Sequence, residues 1–275
     1  MQKYLIIGNG TAAVSAVEGI RSLDRTGSIT IISREEHPAY CRPLISYYLE
    51  GKASPQRMLC RSESFYKDNS AEVVYSSAAS LDPKAKTVKL ENGAELEYTK
   101  LLIASGSSPF VPPMEGLETI PNKGFFMTLD DAYALERMTD ENSCVLIVGA
   151  GLIGLKCAEG LAERVKKITV CDLAQKVMPS ILDDEAADMV KSRLEAAGIE
   201  LLLGDTAAKF DGSKAVMRSG VQVDFDVLVV AVGVRPNISL FKDAGGECGR
   251  AITVDSHMRT SIPDIYAAGD CTEMI

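Results

Sequence analysis

The 275-residue sequence lacks the marks of several classes of protein. It has no apolar run of the roughly 20 residues that a membrane-spanning helix needs. Its N-terminal apolar run leads directly into a glycine loop, so no secretory signal is expected. Its two histidines, His37 and His257, are too few and too isolated to propose a metal site. These absences predict a cytoplasmic protein without a metal.

Positive charge is also scarce. Lys and Arg total 29 against 38 Asp and Glu, which gives a formal net charge of −9. This balance argues against binding to nucleic acid or to an anionic membrane surface. The seven cysteines are scattered, and they form neither a C-x-x-C pair nor a zinc-type spacing. Such a set predicts free thiols in a reducing compartment.

Apolar residues make up 46% of the chain, which is enough for one large domain or two ordinary ones. The segment KYLIIG predicts a buried strand, TAAVSAVEGIRSL a helix and SITIIS a second strand. The same order returns in CVLIVGAG, LIGLKCAEGLAERV and KITVCD, which indicates a duplicated βαβ unit and parallel sheets. Between the copies, TVKLENGAELEY with its Asn92-Gly93 pair predicts a hairpin.

The first glycine loop fits the dinucleotide fingerprint G-x-G-x-x-G/A, in which the first glycine allows a tight turn and the second lets a pyrophosphate approach the backbone. The residues that form it are Gly8, Asn9, Gly10, Thr11, Ala12 and Ala13. The unpaired N–H groups of the following helix would face the phosphates. Glu35, 22 residues beyond Ala13, is the candidate for a ribose diol, with Ser33 and Glu36 as competitors.

The second glycine loop has all three glycines of the fingerprint. It reads Gly149, Ala150, Gly151, Leu152, Ile153 and Gly154. Asp172 follows Gly154 by 18 residues, at the end of KITVCD. A carboxylate there accepts hydrogen bonds from an adenosine 2′-hydroxyl and repels a 2′-phosphate, which favours NAD over NADP. Two fingerprints in one chain indicate electron transfer between two dinucleotides.

With these motifs the sequence resembles the FAD- and NAD(P)-dependent pyridine nucleotide–disulfide oxidoreductase superfamily. Three further segments carry the resemblance: YTKLLIASG, DVLVVAVGVRPN and VDSHMRTSIPDIYAAGD. Together with the two fingerprints they occur in the family's order and cover nearly the whole chain. The resemblance implies an α/β fold with two Rossmann-like dinucleotide-binding domains, the NAD domain being inserted in the FAD domain. The implied boundaries are 1–112 plus 240–275 for FAD and 113–239 for NAD, with the family's C-terminal interface domain absent.

Further site residues follow from the resemblance. For FAD it implies contacts from Ala79, Ala104, Ser105, Gly106, Gly269 and Asp270, with Asp270 reaching the ribityl and phosphate region. For NADH it adds Val232 and Gly233 to the second fingerprint.

The segment EEHPAYCRPLIS resembles one found in rubredoxin reductases, ferredoxin reductases and the flavin module of NADH-dependent nitrite reductases. Arg42 matches a basic residue that contacts FAD in those proteins, and a surface ion pair is the alternative. Tyr47 stands where many relatives have a lysine, and Lys156 where many have a glutamate. We expect Lys156 to supply positive charge near the flavin, with a solvent-facing side chain as the alternative.

The resemblance implies an NADH-dependent flavoprotein reductase that passes hydride from NADH to FAD and electrons to a small acceptor, such as a rubredoxin or an iron–sulfur protein. A second class comprises single-cysteine NADH oxidases, NADH peroxidases and coenzyme A-disulfide reductases, in which Cys41 would be the redox thiol. Cys41 lacks the following glycine that is typical of that class. A third class is a non-catalytic module that binds FAD and NAD to sense redox state. Neither the acceptor nor the oligomeric state follows from the sequence.

Overall fold

The structure of the protein is a computed structural model that describes residues 1–274. The chain divides into two compact units. The first comprises Met1–Cys41, Leu59–Ser108 and the chain from Arg235 onward. The second comprises Arg42–Met58 and Pro109–Val234.

Strands and helices are numbered in chain order. The N-terminal part contains β1 (Lys3–Ile7), α1 (Thr11–Leu23), β2 (Ser28–Ser33), α2 (Ile45–Leu49), α3 (Phe65–Asp68), β3 (Ala71–Tyr75), β4 (Ala78–Asp82), β5 (Thr87–Leu90), β6 (Glu95–Glu97), β7 (Lys100–Ile103) and β8 (Ser107–Pro109). The middle part contains β9 (Lys123–Gly124), α4 (Leu129–Met138), β10 (Cys144–Val148), α5 (Leu152–Leu161), β11 (Lys167–Asp172), α6 (Asp184–Ala196), β12 (Ile199–Leu203), β13 (Ala207–Asp211), β14 (Lys214–Met217), β15 (Gln222–Asp224) and β16 (Val227–Val230). The C-terminal part contains β17 (Val234–Pro236), α7 (Ser239–Asp243), β18 (Ile252–Val254), β19 (Ile265–Ala267) and β20 (Thr272–Met274). Short 3₁₀ helices span Arg42–Leu44, Pro55–Met58 and Leu117–Thr119.

A parallel five-stranded sheet in the order β19-β7-β1-β2-β3 forms the centre of the first unit. In the register of β1, Lys3 lies opposite Ser28 of β2 and Tyr4 lies opposite Lys100 of β7. Helix α1 buries one stripe of small and apolar residues, including Val14 and Val17, against this sheet. An antiparallel sheet β4-β5-β6 and helix α7 contribute to the core that contains Leu5 and the other inward residues of β1 and β7.

The second unit repeats this plan. Its parallel sheet has the order β12-β11-β10-β16-β9, and the antiparallel sheet β13-β14-β15 contributes to one of its cores. Helix α5 is buried along much of its length. Helix α2 packs on α5 because Gly160 has no side chain: a Cβ there would lie 3.0 Å from the carbonyl oxygen of Ser46.

The strand order reverses at the same place in both units. The strands adjoining the reversal are β1 and β7 in the first sheet, and β10 and β16 in the second. Open α/β sheets bind their ligands at the carboxyl ends of the strands beside such a point. Both glycine loops follow a strand beside such a point, where sheets of this kind bind their ligands.

The two predicted βαβ units are confirmed, and β2 and β11 have the predicted bounds. The hairpin is confirmed too, with Gly93 at φ +86° between antiparallel β5 and β6. Helix α5 is shorter than predicted, since it ends at Leu161. The side chain of Arg164 donates to the carbonyl of Glu136 and the hydroxyl of Thr139, and these long-range bonds favour a turn where the sequence alone favours helix.

Within residues 1–274, no helix has the length and apolar character to cross a bilayer. The same residues bring together no cluster of three or more His, Cys, Asp and Glu side chains that could hold a metal. All seven cysteines are free thiols. Burial raises the pKa of Cys171 to about 11 and raises that of Cys157 as well, so both thiols stay protonated near neutral pH.

Candidate functional site: two phosphate cradles

The turn after β1 depends on a glycine at position 8. Gly8 has φ +105°, and a Cβ added to it would lie 2.1 Å from the carbonyl oxygen of Ala104. Its N–H donates to the carbonyl of Ile32 at 2.8 Å. The loop is thus pressed against the ends of β2 and β7, and a side chain at position 8 would force them apart.

The second glycine of this loop lies in open space. Gly10 caps α1 in an extended conformation, and a Cβ added to it would meet no atom within 4 Å. No side chain caps the helix, and its first turn has no acidic residue. Free N–H groups and the positive end of the helix dipole therefore face this space, which suits the pyrophosphate of a dinucleotide.

The end of strand β19 also meets the same loop. A Cβ added to Gly269, which follows β19 and has φ +84°, would lie 3.5 Å from the Cβ of Ala12. Asp270 comes next, with its carboxylate exposed and accepting a hydrogen bond from the hydroxyl of Ser107 at 3.3 Å. The structure thus brings Gly269 beside the fingerprint, with Ala104 on the other side of the turn.

Glu35 occupies the turn beyond β2. Its carboxylate is half-buried and accepts a hydrogen bond from the hydroxyl of Tyr40 at 2.5 Å. The hydroxyl of Ser33 donates to the carbonyl of Glu35 at 2.6 Å and so takes part in the turn itself. Tyr40 was not singled out from the sequence, since nothing in its local pattern marks it as a partner of Glu35.

The loop after β7 is held by a residue from a distant part of the chain. Asn237 donates its side-chain amide to the carbonyl of Ser105 at 2.8 Å, and the hydroxyl of Ser105 donates back to the carbonyl of Asn237 at 2.8 Å. The hydroxyl of Ser108 donates to the side-chain oxygen of Asn237 at 2.7 Å. The stretch 104–106 is fixed by this exchange. Ala79, by contrast, is exposed on strand β4 of the antiparallel sheet.

The second glycine loop repeats the geometry of the first. Gly149 has φ +118°, and a Cβ added to it would lie 2.3 Å from the carbonyl oxygen of Ala231. A Cβ on Gly154 would lie 2.0 Å from the carbonyl oxygen of Gly149. Gly151 caps α5, and a Cβ added there would meet nothing within 4 Å. In this loop the outer two glycines serve packing, and the middle one, like Gly10 of the first loop, faces open space.

Asp172 lies at the end of β11, as predicted. Its carboxylate accepts a hydrogen bond from the N–H of Ala150 at 2.6 Å and another from the N–H of Ala174 at 2.8 Å. An ionised carboxylate has about four acceptor positions, so two remain for the hydroxyls of a ribose. Val232 and Gly233 follow β16 beside this loop, with the side chain of Val232 exposed.

Cys41 and Arg42 fall on either side of the division between the two units. Cys41 is a half-buried free thiol. Arg42 begins a 3₁₀ helix in the second unit, and its guanidinium donates to the carbonyl of Met127 at 2.9 Å. This bond orients the side chain of Arg42, whichever group its other N–H atoms bind.

Lys156 has partners within its own unit. Its ammonium forms an ion pair with Glu159 and lies 4.8 Å from the centre of the Tyr47 ring. Its side chain is about 30% exposed, so it neither extends freely into solvent nor is deeply buried. An ion pair creates a weaker distant field than a single charge, because the carboxylate cancels part of it.

The two sheets, their switch points and their glycine loops define a protein with two Rossmann-type dinucleotide-binding folds. The family model for pyridine nucleotide-disulphide oxidoreductases matches residues 2–275, and the chain belongs to this family. Membership identifies FAD and NADH as the cofactors of the fold. At both Gly10 and Gly151 an added Cβ would meet no atom within 4 Å, so open space lies before the N-terminus of α1 and of α5.

The chain is similar to several characterised proteins. It is 32% identical over 273 residues to subunit epsilon of the NADH-dependent phenylglyoxylate dehydrogenase of Aromatoleum evansii, covering 97% of this chain and 64% of that protein. It is 32% identical over 274 residues to the rubredoxin-NAD(+) reductase of Pseudomonas putida, covering 97% and 71%. The chain thus spans about two thirds of the length of these relatives.

One similar solved structure concerns the choice of nucleotide. It is an engineered water-forming NADPH oxidase bound to NADPH and derived from the Lactobacillus brevis NADH oxidase. Its TM-score is 0.90 at 28% sequence identity, and the match covers 98% of this chain and 62% of that one. Three of its five substitutions replace a glycine by alanine, an aspartate 18 positions later by alanine, and a proline 7 positions further by arginine. Gly154, Asp172 and Pro179 stand at the same intervals here.

Proposed function

We propose that the chain is the FAD- and NADH-binding part of an NADH-dependent flavoprotein reductase that delivers electrons to a small redox protein. The observation that carries the proposal is the open space at Gly10 and at Gly151, before two helix N-termini that no side chain caps. We call the space at Gly10 the first cradle and the space at Gly151 the second cradle. One cradle would serve an enzyme that uses a single nucleotide, whereas two suit transfer from one dinucleotide to the other.

Bound FAD would supply the redox chemistry by accepting a hydride from NADH and releasing the electrons to the acceptor. The chain's own residues bind and orient. In the first cradle, the N–H groups at the start of α1 hold the pyrophosphate, while Glu35, oriented by Tyr40, accepts hydrogen bonds from the adenosine ribose. We assign Asp270 to the ribityl side and Arg42 to an additional FAD contact.

In the second cradle, the N–H groups at the start of α5 hold the pyrophosphate of NADH. Asp172 accepts hydrogen bonds from the ribose and repels a 2′-phosphate, which favours NADH over NADPH. In the engineered NADPH oxidase an aspartate at the same interval from a glycine was changed to alanine, which supports this proposal. Val232 and Gly233 would line the path toward the nicotinamide.

A small redox protein is the proposed acceptor because the chain resembles a rubredoxin-NAD(+) reductase over 97% of its length. The proposed division assigns 1–112 plus 240–275 to the FAD domain and 113–239 to the NAD domain. A cytoplasmic location fits the scattered free thiols, which a reducing compartment would preserve.

A single-cysteine oxidase is the second candidate, because the engineered NADPH oxidase is similar over 98% of this chain and Cys41 is a half-buried free thiol. The two candidates differ in their need for that sulfur. Under the proposed function, Cys41→Ser leaves both electron transfer to an artificial acceptor and the O2-dependent oxidation of NADH within about twofold. Loss of the O2-dependent reaction, with FAD binding and transfer to the artificial acceptor retained, would support the oxidase instead.

The visible absorption spectrum before and after NADH tests the proposal. We expect the purified protein, supplied with FAD, to show an oxidised flavin spectrum that bleaches within the mixing time when NADH is added. NADPH at the same concentration should bleach it more slowly. A protein that takes up no FAD, or whose bound flavin NADH does not bleach, would contradict the proposal.

A further inference from the structure

A tyrosine hydroxyl links the first glycine loop to two other segments of its unit. Tyr66 lies in α3, and its hydroxyl donates to the side-chain oxygen of Asn9 at 2.9 Å. The same hydroxyl accepts a hydrogen bond from the N–H of Ala39 at 2.9 Å. One oxygen thus connects residues that are 27 and 57 positions away in sequence.

Asn9 completes the link with its other side-chain atom. Its amide nitrogen donates to the carbonyl of His37 at 3.3 Å. The segment from His37 to Cys41 is further held by the N–H of Cys60, which donates to the carbonyl of Ala39 at 2.8 Å. The glycine loop is therefore tied to this segment, and Tyr66 is the common partner of both.

The environment of Tyr66 keeps its hydroxyl in place and protonated. Its ring packs edge-on against Phe65, with the ring centres 5.3 Å apart. Phe65 is buried in the core beneath α1. Burial raises the pKa of Tyr66, so the hydroxyl remains a donor throughout the physiological pH range.

Asn9 matters because both its neighbours are glycines. Gly8 and Gly10 have no side chains, so Asn9 is the one place between them where a side chain can fix the orientation of the peptide groups. A binding loop holds its ligand best when its geometry is set in advance by such contacts. We propose that Tyr66 is a positioning residue for the first phosphate cradle, acting through Asn9. This inference rests on the proposed binding of FAD at that cradle.

The test compares FAD affinities by quenching of flavin fluorescence. Tyr66→Phe removes the hydroxyl and keeps the ring. Because one hydrogen bond contributes about 1 kcal/mol, we expect the dissociation constant of FAD to rise about five- to tenfold. Tyr4→Phe is the matched control, since Tyr4 is a tyrosine of the same unit near the start of β1 whose hydroxyl donates to Asp24, and the dissociation constant of that variant should stay within about twofold.

A double-mutant cycle distinguishes positioning from a general loss of stability. Asn9→Ala alone should weaken FAD binding by a similar factor, and Tyr66→Phe added to Asn9→Ala should cost less than about twofold more. A purely structural role would instead give independent effects that multiply. An unchanged affinity in Tyr66→Phe, or a full additional loss in the double variant, would overturn the inference. If the unaltered protein bound no FAD, the proposed function would fail and this inference with it.

Discussion

Replacing Gly10 by alanine separates the stability of the fold from the binding of FAD. A Cβ at position 10 meets no protein atom within 4 Å, and its φ of −100° is open to any residue. The same methyl group would project into the space where the pyrophosphate must approach the helix N-terminus. The substitution therefore blocks a ligand without disturbing the packing.

Gly10→Ala should change the free energy of unfolding much less than the free energy of FAD binding. Alanine is a poorer helix cap than glycine by less than about 1 kcal/mol. The reduced freedom of the unfolded chain returns about 0.4–1 kcal/mol, so the free energy of unfolding should change by less than about 0.5 kcal/mol. Hydrogen bonds to a charged phosphate contribute about 1.5–3 kcal/mol, so their loss should weaken FAD binding about 10- to 100-fold.

Thermal unfolding of the FAD-free protein and titration with FAD measure the two quantities separately. Gly8→Ala is the control, because its Cβ would lie 2.1 Å from a backbone oxygen at φ +105°. That variant should lose about 3 kcal/mol or more of stability. If Gly10→Ala bound FAD as tightly as the unaltered protein, the cradle would not be the pyrophosphate site. A large loss of stability in Gly10→Ala would equally refute the reasoning.

Three further predictions concern the second unit. Gly151→Ala should raise the KM for NADH about tenfold or more while FAD binding is retained, because its Cβ also enters open space; equal KM values would contradict the assignment of this cradle. Asp172→Ala combined with Leu173→Arg should shift the preference toward NADPH in kcat/KM, since a repulsive carboxylate is exchanged for a cation; an unchanged ratio would refute the role of Asp172. Lys156→Glu should lower the reduction potential of bound flavin, measured by dye equilibration, with Lys191→Glu as a control on the exposed face of α6; an unchanged potential would exclude the electrostatic role.

Local patterns predicted the elements that local chemistry determines. The sequence predicts the first helix over TAAVSAVEGIRSL, and the helix spans Thr11–Leu23. The prediction is correct because the apolar stripe and the N-cap glycine both lie within one short segment of the sequence. The end of α5 was not predicted, because it depends on bonds from Arg164 to Thr139 and Glu136, which lie 25 and 28 positions away. A periodic pattern carries no information about such partners.

The same distinction applies to the candidate sites. The fingerprint glycines and Asp172 were found by spacing, since a strand, a turn and a helix fix their separations. No local pattern marks Tyr40, Tyr66 or Asn237 as contributors, although Asn237 ends the segment DVLVVAVGVRPN. Asn237 lies 132 positions from Ser105, and only the folded sheet brings the two together. Such contacts are revealed by pairs of positions that vary together in related sequences, and not by the pattern of one sequence.

The two cradles reach similar geometry by different means. The carboxylate of Asp172 is held by N–H groups of its own glycine loop and of the residue two positions later. The first cradle instead depends on side-chain hydroxyl donors: the hydroxyl of Tyr40 orients Glu35, and the hydroxyl of Tyr66 holds Asn9. Backbone donors survive any substitution except proline, whereas a hydroxyl is lost in one mutation. The first cradle should therefore tolerate fewer remote side-chain changes, and FAD affinity should be the first property lost when residues 37–41 or 59–66 are altered.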